Sequence, residues 1–92
     1  MKYIIVYDIS DDETRNRVRQ LIKDYGGTRF QYSSFIVDLD KAKLDELLTR
    51  IENIIGSEKA SVIAVPVCRK CLEKIVTIQY PIVEENEDEE II

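Results

Sequence analysis

The hydrophobic pattern at the start of the chain predicts a strand followed by a helix. Residues 2–9 (KYIIVYDI) form one run of apolar, β-branched and aromatic side chains, which indicates a central strand covered on both faces. Ser10 and Glu13 have the spacing of a capping box at a helix start. Gly26-Gly27 ends this helix, because a glycine adopts the left-handed conformation without a Cβ clash. The apolar stripe between these limits consists of Val18, Leu21, Ile22 and Tyr25.

The next strand region, Thr28–Leu39, changes phase part of the way along. Phe30 and Tyr32 share even-numbered positions before Ser33-Ser34, whereas Phe35, Val37 and Leu39 share odd-numbered positions after it. Because strand side chains alternate between faces, we expect a bulge or sharp bend there that divides the region into two strands.

The remaining pattern predicts one helix and two strands. Leucines and isoleucines at helical spacing predict a helix from Lys41 to Ile55, with Asp38 or Asp40 as its cap and Gly56 at its end. Residues 61–67 (SVIAVPV) predict another buried strand, in which Pro66 must lie near an edge or an end because it cannot donate to a ladder. Residues 74–80 (KIVTIQY) predict a last strand, closed by Pro81.

This order of elements predicts an α+β fold. It corresponds to a ferredoxin-like βαββαβ sandwich with an additional C-terminal strand, in which both helices cover one face of an antiparallel sheet. The other face would be bare, although the first strand is apolar on both sides. We therefore expect a homodimer packed sheet to sheet, with the last strand joining the partner's sheet edge. The alternative is a monomer whose last strand folds back over its own sheet.

Length and charge separate a folded body from an acidic end. The 92 residues fit one domain, and the net charge is −5. Residues 84–92 (EENEDEEII) hold six acidic groups and no basic one, so residues 1–83 carry 13 basic and 12 acidic groups. We expect a ferredoxin-like domain over 1–83 and a disordered tail over 84–92, unless its isoleucine end is a strand that docks on a partner.

Composition also excludes several classes of protein. The sequence has no histidine, which excludes Ser-His-Asp and Cys-His catalysis and a histidine general base. No apolar run approaches the roughly 20 residues of a membrane span. Asp8 interrupts the first apolar run too early for a secretory signal. We expect a cytoplasmic protein with no membrane partner.

Asp8 is the first candidate for chemistry, because it ends an apolar strand on the same side as Ile4 and Val6. A carboxylate at such a place is costly to desolvate unless it has a partner. It could cap the helix or form an ion pair. It could instead bind Mg²⁺, if a two-fold axis near the strand brings a second Asp8 opposite the first.

Basic residues are concentrated around the first helix, with five against one acidic residue between positions 14 and 29. Arg15 and Arg19 share a helix face and could address adjacent phosphates. The alternative is a solvated face with ion pairs to Asp11 or Asp12. The five basic residues are Arg15, Arg17, Arg19, Lys23 and Arg29.

Aromatic residues near these arginines have two interpretations. At strand spacing they could stack on bases, but such residues usually form the core. They are Tyr7, Phe30, Tyr32 and Phe35.

Cys68 and Cys71 form a single C-x-x-C motif. Zinc would require a site shared between subunits, since two cysteines supply only half of a structural set. A redox pair would need a helix that begins at the motif, which the pattern does not predict. The favoured interpretation is a hairpin turn with reduced thiols and no catalytic metal, with a disulfide as the alternative.

Together these residues resemble a known family, that of the small CRISPR-associated ferredoxin-like endoribonucleases, the smaller spacer-acquisition subunit. The likeness covers about residues 1–80, includes VPVCRKC at 65–71, and is most specific in the first forty residues. It is carried by Tyr7-Asp8-Ile9-Ser10, by Arg15 and Arg17, by Tyr25-Gly26, by Arg29-Phe30-Gln31 and by Ser34-Phe35.

The resemblance implies a homodimer with Mg²⁺ between two symmetry-related Asp8 carboxylates. It implies cleavage of single-stranded RNA or double-stranded DNA in some members, and in others a non-catalytic scaffold that holds duplex DNA for the CRISPR integrase subunit. Ile36 departs from the acidic or small residue of many members. The positions that the resemblance links to activity through substrate binding are Tyr7, Arg15, Arg17, Arg29 and Phe35.

The resulting hypothesis is a Mg²⁺-dependent endonuclease of spacer acquisition, with Asp8 as catalytic and metal-binding residue. Three arginines, Arg15, Arg17 and Arg29, would position the nucleic-acid backbone. The main alternative is the same dimer as a DNA-binding scaffold. A toxin-like ribonuclease or a regulatory ferredoxin-like domain is a third class.

Overall fold

A computed structural model describes residues 1–78 of the chain. Its elements are β1 (Lys2–Ile9), α1 (Asp12–Asp24), β2 (Thr28–Gln31), β3 (Ser34–Asp38), α2 (Lys41–Ile55), β4 (Ala60–Val67) and α3 (Arg69–Glu73). The four strands form one sheet in the order β4-β1-β3-β2, and every neighbouring pair is antiparallel. The predicted ferredoxin-like βαββαβ order is confirmed, with β1 in a central position.

The core lies between the sheet and the two long helices. Alternate residues of β1 point into it, and Ile5 at its centre has no exposed surface. Leucine, isoleucine and valine side chains of the helices complete this layer, as their spacing predicts. They are Val18, Leu21 and Ile22 of α1, and Leu44, Leu47 and Ile51 of α2.

The cap of α2 is one of the two residues that the sequence predicted, whereas the cap of α1 is a different residue from the predicted one. Asp40 caps α2, whose predicted bounds are confirmed, by accepting a hydrogen bond from the Lys43 amide at 2.8 Å. At α1 the cap is Asp11 rather than the predicted Ser10, because the Asp11 carboxylate accepts from the Thr14 amide at 2.9 Å. That hydrogen bond lowers the pKa of Asp11 below its ordinary value.

Two glycines and a bend connect α1 to the next two strands. Gly26 has a φ of 87°, the left-handed conformation expected after the helix. A Cβ on Gly27 would lie 2.7 Å from Ile22 Cγ2, so α1 and β3 approach too closely there for any side chain. Between β2 and β3 the chain turns at Tyr32-Ser33, and the register shifts between Arg29 and Gln31. The predicted division of this region is confirmed.

The prediction that β4 is buried needs correction. β4 is the outermost strand of the sheet, and the exposure of its residues alternates. Pro66 therefore lies on an edge strand, as predicted. Within residues 1–78 the long helices cover one face of β1, and on the other face Ile4 is half-buried and Val6 is 40% exposed. This bare face agrees with the sequence, and its cover by a partner or by the last strand stays a prediction.

The chain after β4 also differs from the prediction. The expected hairpin turn at the cysteines is a short helix, α3, capped by Cys68. Residues 75–78 form no strand, because no strand of the described chain pairs with them. Val76 and Ile78 are 83% and 90% exposed. The rest of the predicted last strand, Pro81 and the acidic tail lie outside the described residues.

Candidate nucleic-acid and metal site

The sheet face turned away from the helices carries an apolar patch, which we call the open face. Strand register places its residues side by side: Ile4 of β1 lies between Ile36 of β3 and Val65 of β4, and Val6 lies beside Ile63. Ile63 and Val65 are 55% and 42% exposed. Asp8 lies on the same face, as its parity with Ile4 and Val6 predicts.

Asp8 lies at the end of the open face and is exposed. It is paired in register with Ser61 of β4, and the two residues line a shallow cavity of about 340 Å³ together with Ser10, Lys59 and Ala60. A carboxylate flanked by hydroxyl groups is a hard oxygen donor set that suits Mg²⁺, which retains several waters in protein sites. Within residues 1–78, no three cysteine or acidic side chains are grouped closely enough to hold a metal ion by themselves. Asp8 is the one carboxylate among the described residues that line this cavity.

Arg15 lies at the connection between β1 and α1. Its guanidinium donates to the Ile9 carbonyl at 2.9 Å and forms an ion pair with Asp12. The hydrogen bond to Asp12 raises the pKa of Arg15 above its ordinary value, with a smaller contribution from Tyr32. The predicted ion pairing on this helix face is confirmed for Asp12. The pairing holds the charged end of Arg15 next to the loop that follows Asp8.

Arg29 is held against the hairpin between β2 and β3. Its guanidinium donates to the Tyr32 carbonyl at 2.6 Å and lies 4.9 Å from the centre of the Phe35 ring. Phe35 stacks on Tyr7 with 6.3 Å between ring centres. The Phe35 ring lies against the guanidinium of Arg29, and the Tyr32 carbonyl accepts a hydrogen bond from it. These two contacts hold the Arg29 side chain in place.

The structure separates the predicted site residues into three places. Tyr7 and Phe35 are 2% and 0% exposed, so the core interpretation of these two aromatics is confirmed and stacking on a base is not open to them. Arg29 lies above them. Arg17 is exposed on α1. Asp8 follows Tyr7 in β1 but points to the opposite face of the sheet.

Two residues of this region, Lys59 and Ser61, were not predicted from the sequence. They adjoin Asp8 only because β4 pairs with β1 in this register. Tyr32, which was a candidate for base stacking, adjoins Arg15 and Arg29, since its carbonyl accepts from Arg29 and its phenol contributes to the raised pKa of Arg15. The Tyr7 hydroxyl is buried and has no hydrogen-bond partner within residues 1–78.

These features define the class of the protein: a small α+β protein with a ferredoxin-like sheet, a carboxylate on its open face, and arginines at the β1–α1 connection and the β2–β3 hairpin. No helix of residues 1–78 has the length and apolar content to cross a membrane. The chain belongs to the CRISPR-associated protein Cas2 family, whose model matches residues 1–75.

Individual relatives are named after the same family. The chain is 42% identical to a CRISPR-associated endoribonuclease Cas2 of Desulforudis audaxviator, over 78% of this chain and 68% of that protein. It is 30% identical to a protein named CRISPR-associated endoribonuclease Cas2 1 of Archaeoglobus fulgidus, over 85% of this chain and 83% of that one. A fusion of endonucleases Cas1 and Cas2 from Thermoproteus tenax is 27% identical over 85% of this chain and 30% of its own length.

Solved structures share the fold. A hypothetical protein of Thermus thermophilus is 33% identical with a TM-score of 0.68, covering 73% of this chain and 80% of its own. Streptococcus pyogenes Cas2 gives a TM-score of 0.76 at 21% identity, covering 86% of this chain and all of its own, a likeness of fold alone.

Proposed function

We propose that this protein is a homodimeric, Mg²⁺-dependent endonuclease of CRISPR spacer acquisition that hydrolyses phosphodiester bonds in single-stranded RNA or double-stranded DNA. The observation that carries the proposal is Asp8, an exposed carboxylate that follows the apolar residues Ile4 and Val6 on the open face. Relatives that are 42% and 30% identical bear the name endoribonuclease, which supports the same chemistry here.

The homodimer is proposed because the helices of residues 1–78 do not cover the open face. Large apolar side chains at Val6, Ile63 and Val65 are exposed on one face of the antiparallel sheet, and burying them is favourable. A second copy packed on this face by a two-fold axis near the end of β1 would bring two Asp8 carboxylates together. The edge of β4 that no strand of residues 1–78 pairs with, and the apolar residues Val76 and Ile78, suit additional pairing between copies.

Asp8 from each copy would hold Mg²⁺, together with water and phosphate oxygens. When bound, the cation supplies Lewis acidity toward the phosphodiester. Ser10 and Ser61 line the cavity beside Asp8 and could hydrogen-bond to those waters. Lys59, in the same cavity, contributes a positive charge that attracts a phosphate.

The arginines would position the nucleic-acid backbone. Arg15 and Arg29 are held by carbonyl groups and by an ion pair or an aromatic ring, so they keep their orientation before substrate binds. Arg17 is exposed and able to reach a phosphate by rotation of its side chain. Tyr7 and Phe35 are positioning residues in this proposal, since they are buried beneath Arg29.

The decisive experiment compares Asp8→Asn with Asp45→Asn. The first removes the charge that a hard cation requires, while the second removes an exposed carboxylate on α2 that pairs with Lys41. Cleavage of single-stranded RNA and duplex DNA is measured with Mg²⁺ and with EDTA. We expect wild type and Asp45→Asn to cleave only with Mg²⁺, and Asp8→Asn to lose at least about a hundredfold in rate.

Dimerisation and nucleic-acid binding by Asp8→Asn are the controls that separate a loss of catalysis from a loss of folding or binding. Asp8→Asn should still form the dimer and bind nucleic acid, because those properties depend on the apolar face and the arginines. If Asp8→Asn cleaves as fast as wild type, or if EDTA has no effect, the proposed catalytic role of Asp8 is wrong.

A second candidate function is a non-catalytic scaffold, a dimer that binds duplex DNA for a Cas1 integrase partner. The Thermoproteus tenax relative supports the association with Cas1 that this function requires, because there a Cas1 and a Cas2 unit form one chain. In this case wild type and Asp8→Asn would bind duplex DNA equally well and neither would cleave. Binding of purified Cas1 by both proteins would then support the scaffold function.

A further inference from the structure

The cysteine motif lies outside the site described above and has its own geometry. We propose that Cys68 and Cys71 form a reversible dithiol–disulfide pair, in which Cys68 exchanges with an anionic disulfide of low molecular mass and Cys71 resolves the adduct. This inference does not depend on the proposed function.

The first observation is the placement of the two thiols. Both cysteines are free and exposed. The Cys68 sulfur accepts a hydrogen bond from the Cys71 amide at 3.4 Å, so its side chain is turned toward Cys71. Residues three apart in a helical turn are neighbours, and cysteines with Cα atoms about 4–7 Å apart can form a disulfide.

The second observation is a chemical difference between the thiols. Hydrogen bonds from the amide and the thiol of Cys71 lower the pKa of Cys68. Donation to the Cys68 sulfur raises the pKa of Cys71. Since the thiolate is the nucleophile, Cys68 is the attacking residue and Cys71 stays protonated until Cys68 has reacted.

The third observation is a cavity of about 320 Å³ that borders Cys68 on one side. Its lining includes Lys2, Asp38, Val67 and Arg69. Lys2 pairs with Asp38 at 3.3 Å, and Arg69 adds a further positive charge next to the thiol. A carboxylate-bearing disulfide is therefore attracted to the cavity, whereas a cationic one is repelled.

The reaction balances without any other redox agent. The Cys68 thiolate attacks one sulfur of the small disulfide, which forms a mixed disulfide and releases the first small thiolate. Cys71 then gives up its proton, and its thiolate attacks the Cys68 sulfur and releases the second. The protein loses two electrons and two protons, and the small disulfide is reduced to two thiols.

The pair also has a structural consequence, because α3 connects the edge strand β4 to residues 74–78. A disulfide between Cys68 and Cys71 would fix the first turn of α3. It would thereby fix the direction in which the apolar segment with Val76 and Ile78 leaves the sheet.

The first test follows the full-length, reduced protein after addition of oxidised glutathione, by intact mass. Wild type should lose the mass of two hydrogen atoms and carry little glutathione. Cys71→Ser should instead accumulate one glutathione on Cys68, since nothing resolves the adduct. Cys68→Ser should react more slowly than Cys71→Ser, by about tenfold. Stable glutathione on wild type, or equal rates for the two variants, would overturn the assignment of roles.

The second test examines the cavity with a matched pair of probes, oxidised glutathione and the cationic disulfide cystamine. The variants are Cys71→Ser with and without Arg69→Gln, so that a single exchange step is measured. Arg69→Gln should slow the reaction with glutathione severalfold and leave cystamine unchanged or faster. Equal slowing of both probes would refute the selectivity for anions. Circular dichroism serves to verify that each variant is folded.

Discussion

The two faces of the sheet differ most clearly within one strand, β1. Its side chains at Tyr3, Ile5 and Tyr7 are at most 8% exposed under the helices, whereas Val6 between them is 40% exposed. Both sets are apolar, so composition does not explain the difference. The helices of residues 1–78 cover one face and leave the other exposed.

The candidate chemistry is divided between the same two faces. Asp8 extends the open face, while Arg29 rests on the aromatic stack that belongs to the buried face. The aromatic side chains beneath Arg29 hold it in position, and in the proposed dimer the uncovered face beside Asp8 would let a second copy complete a carboxylate pair. Each half of the candidate site therefore depends on the packing of the sheet face to which it belongs.

The largest expected effect is a difference in the free energy of unfolding between substitutions on the two faces of the sheet. Ile5→Ala removes a fully buried side chain and should lower the free energy of unfolding by about 2–5 kcal/mol. Ile63→Ala, on the open face, should change the stability of the monomer by at most about 0.5 kcal/mol. Urea denaturation measures both, at a protein concentration low enough to populate monomers. Equal losses would show that the open face is part of the monomer core.

The next prediction concerns self-association. Val6→Asp places a charge within the open face, and an unpaired charge is strongly disfavoured in a buried interface. We expect dimerisation to weaken by at least about a hundredfold, as measured by analytical ultracentrifugation over a range of concentrations. Thr49→Asp, which adds the same charge at an exposed position of α2, is the control and should leave the association unchanged. Tight dimers of Val6→Asp would place the interface elsewhere.

The features that could be predicted from the sequence are those with local causes. Asp40 and Gly56 limit α2 as expected, because a cap and a left-handed glycine act within one turn. The change of parity at Ser33-Ser34 located the boundary between β2 and β3 for the same reason. Parity also placed Asp8 on the face of Ile4 and Val6.

The features that were missed depend on distant contacts. Lys59 and Ser61 reach Asp8 through the register of β4, which no local pattern specifies. Burial of β4 was predicted from an apolar run, but burial depends on whether another layer covers the strand. The helix at Cys68 was missed because a cysteine is an uncommon cap and the following five-residue helix has no periodic stripe.

A moderate effect should distinguish Arg17, which is exposed, from Arg29, which lies against the Phe35 ring. Arg17→Ala should reduce the salt dependence of nucleic-acid binding by about one unit of slope for each lost phosphate contact, without a change in Tm. Arg29→Ala should weaken binding and also lower Tm, because it loses the contact with Phe35, an interaction worth about 0.5–1 kcal/mol. Fluorescence anisotropy and thermal melts measure the two quantities. A loss of Tm in Arg17→Ala would indicate a structural role for that residue.

The smallest effect is a dependence of stability on pH at the cap of α1. The pKa of Asp11 lies below its ordinary value near 3.8, because its carboxylate accepts the Thr14 amide. A pKa lowered by folding contributes stability that is complete above the unfolded value and is lost as the pH falls through the folded value. Asp11→Asn keeps a cap without a titrating charge, so its deficit in Tm relative to wild type should shrink as the pH falls below about 4. Asp11→Ala should lose the cap even at neutral pH, where its Tm should be the lowest of the three proteins. A deficit of Asp11→Asn that stays constant from neutral to acidic pH would mean that the carboxylate charge contributes nothing at this helix.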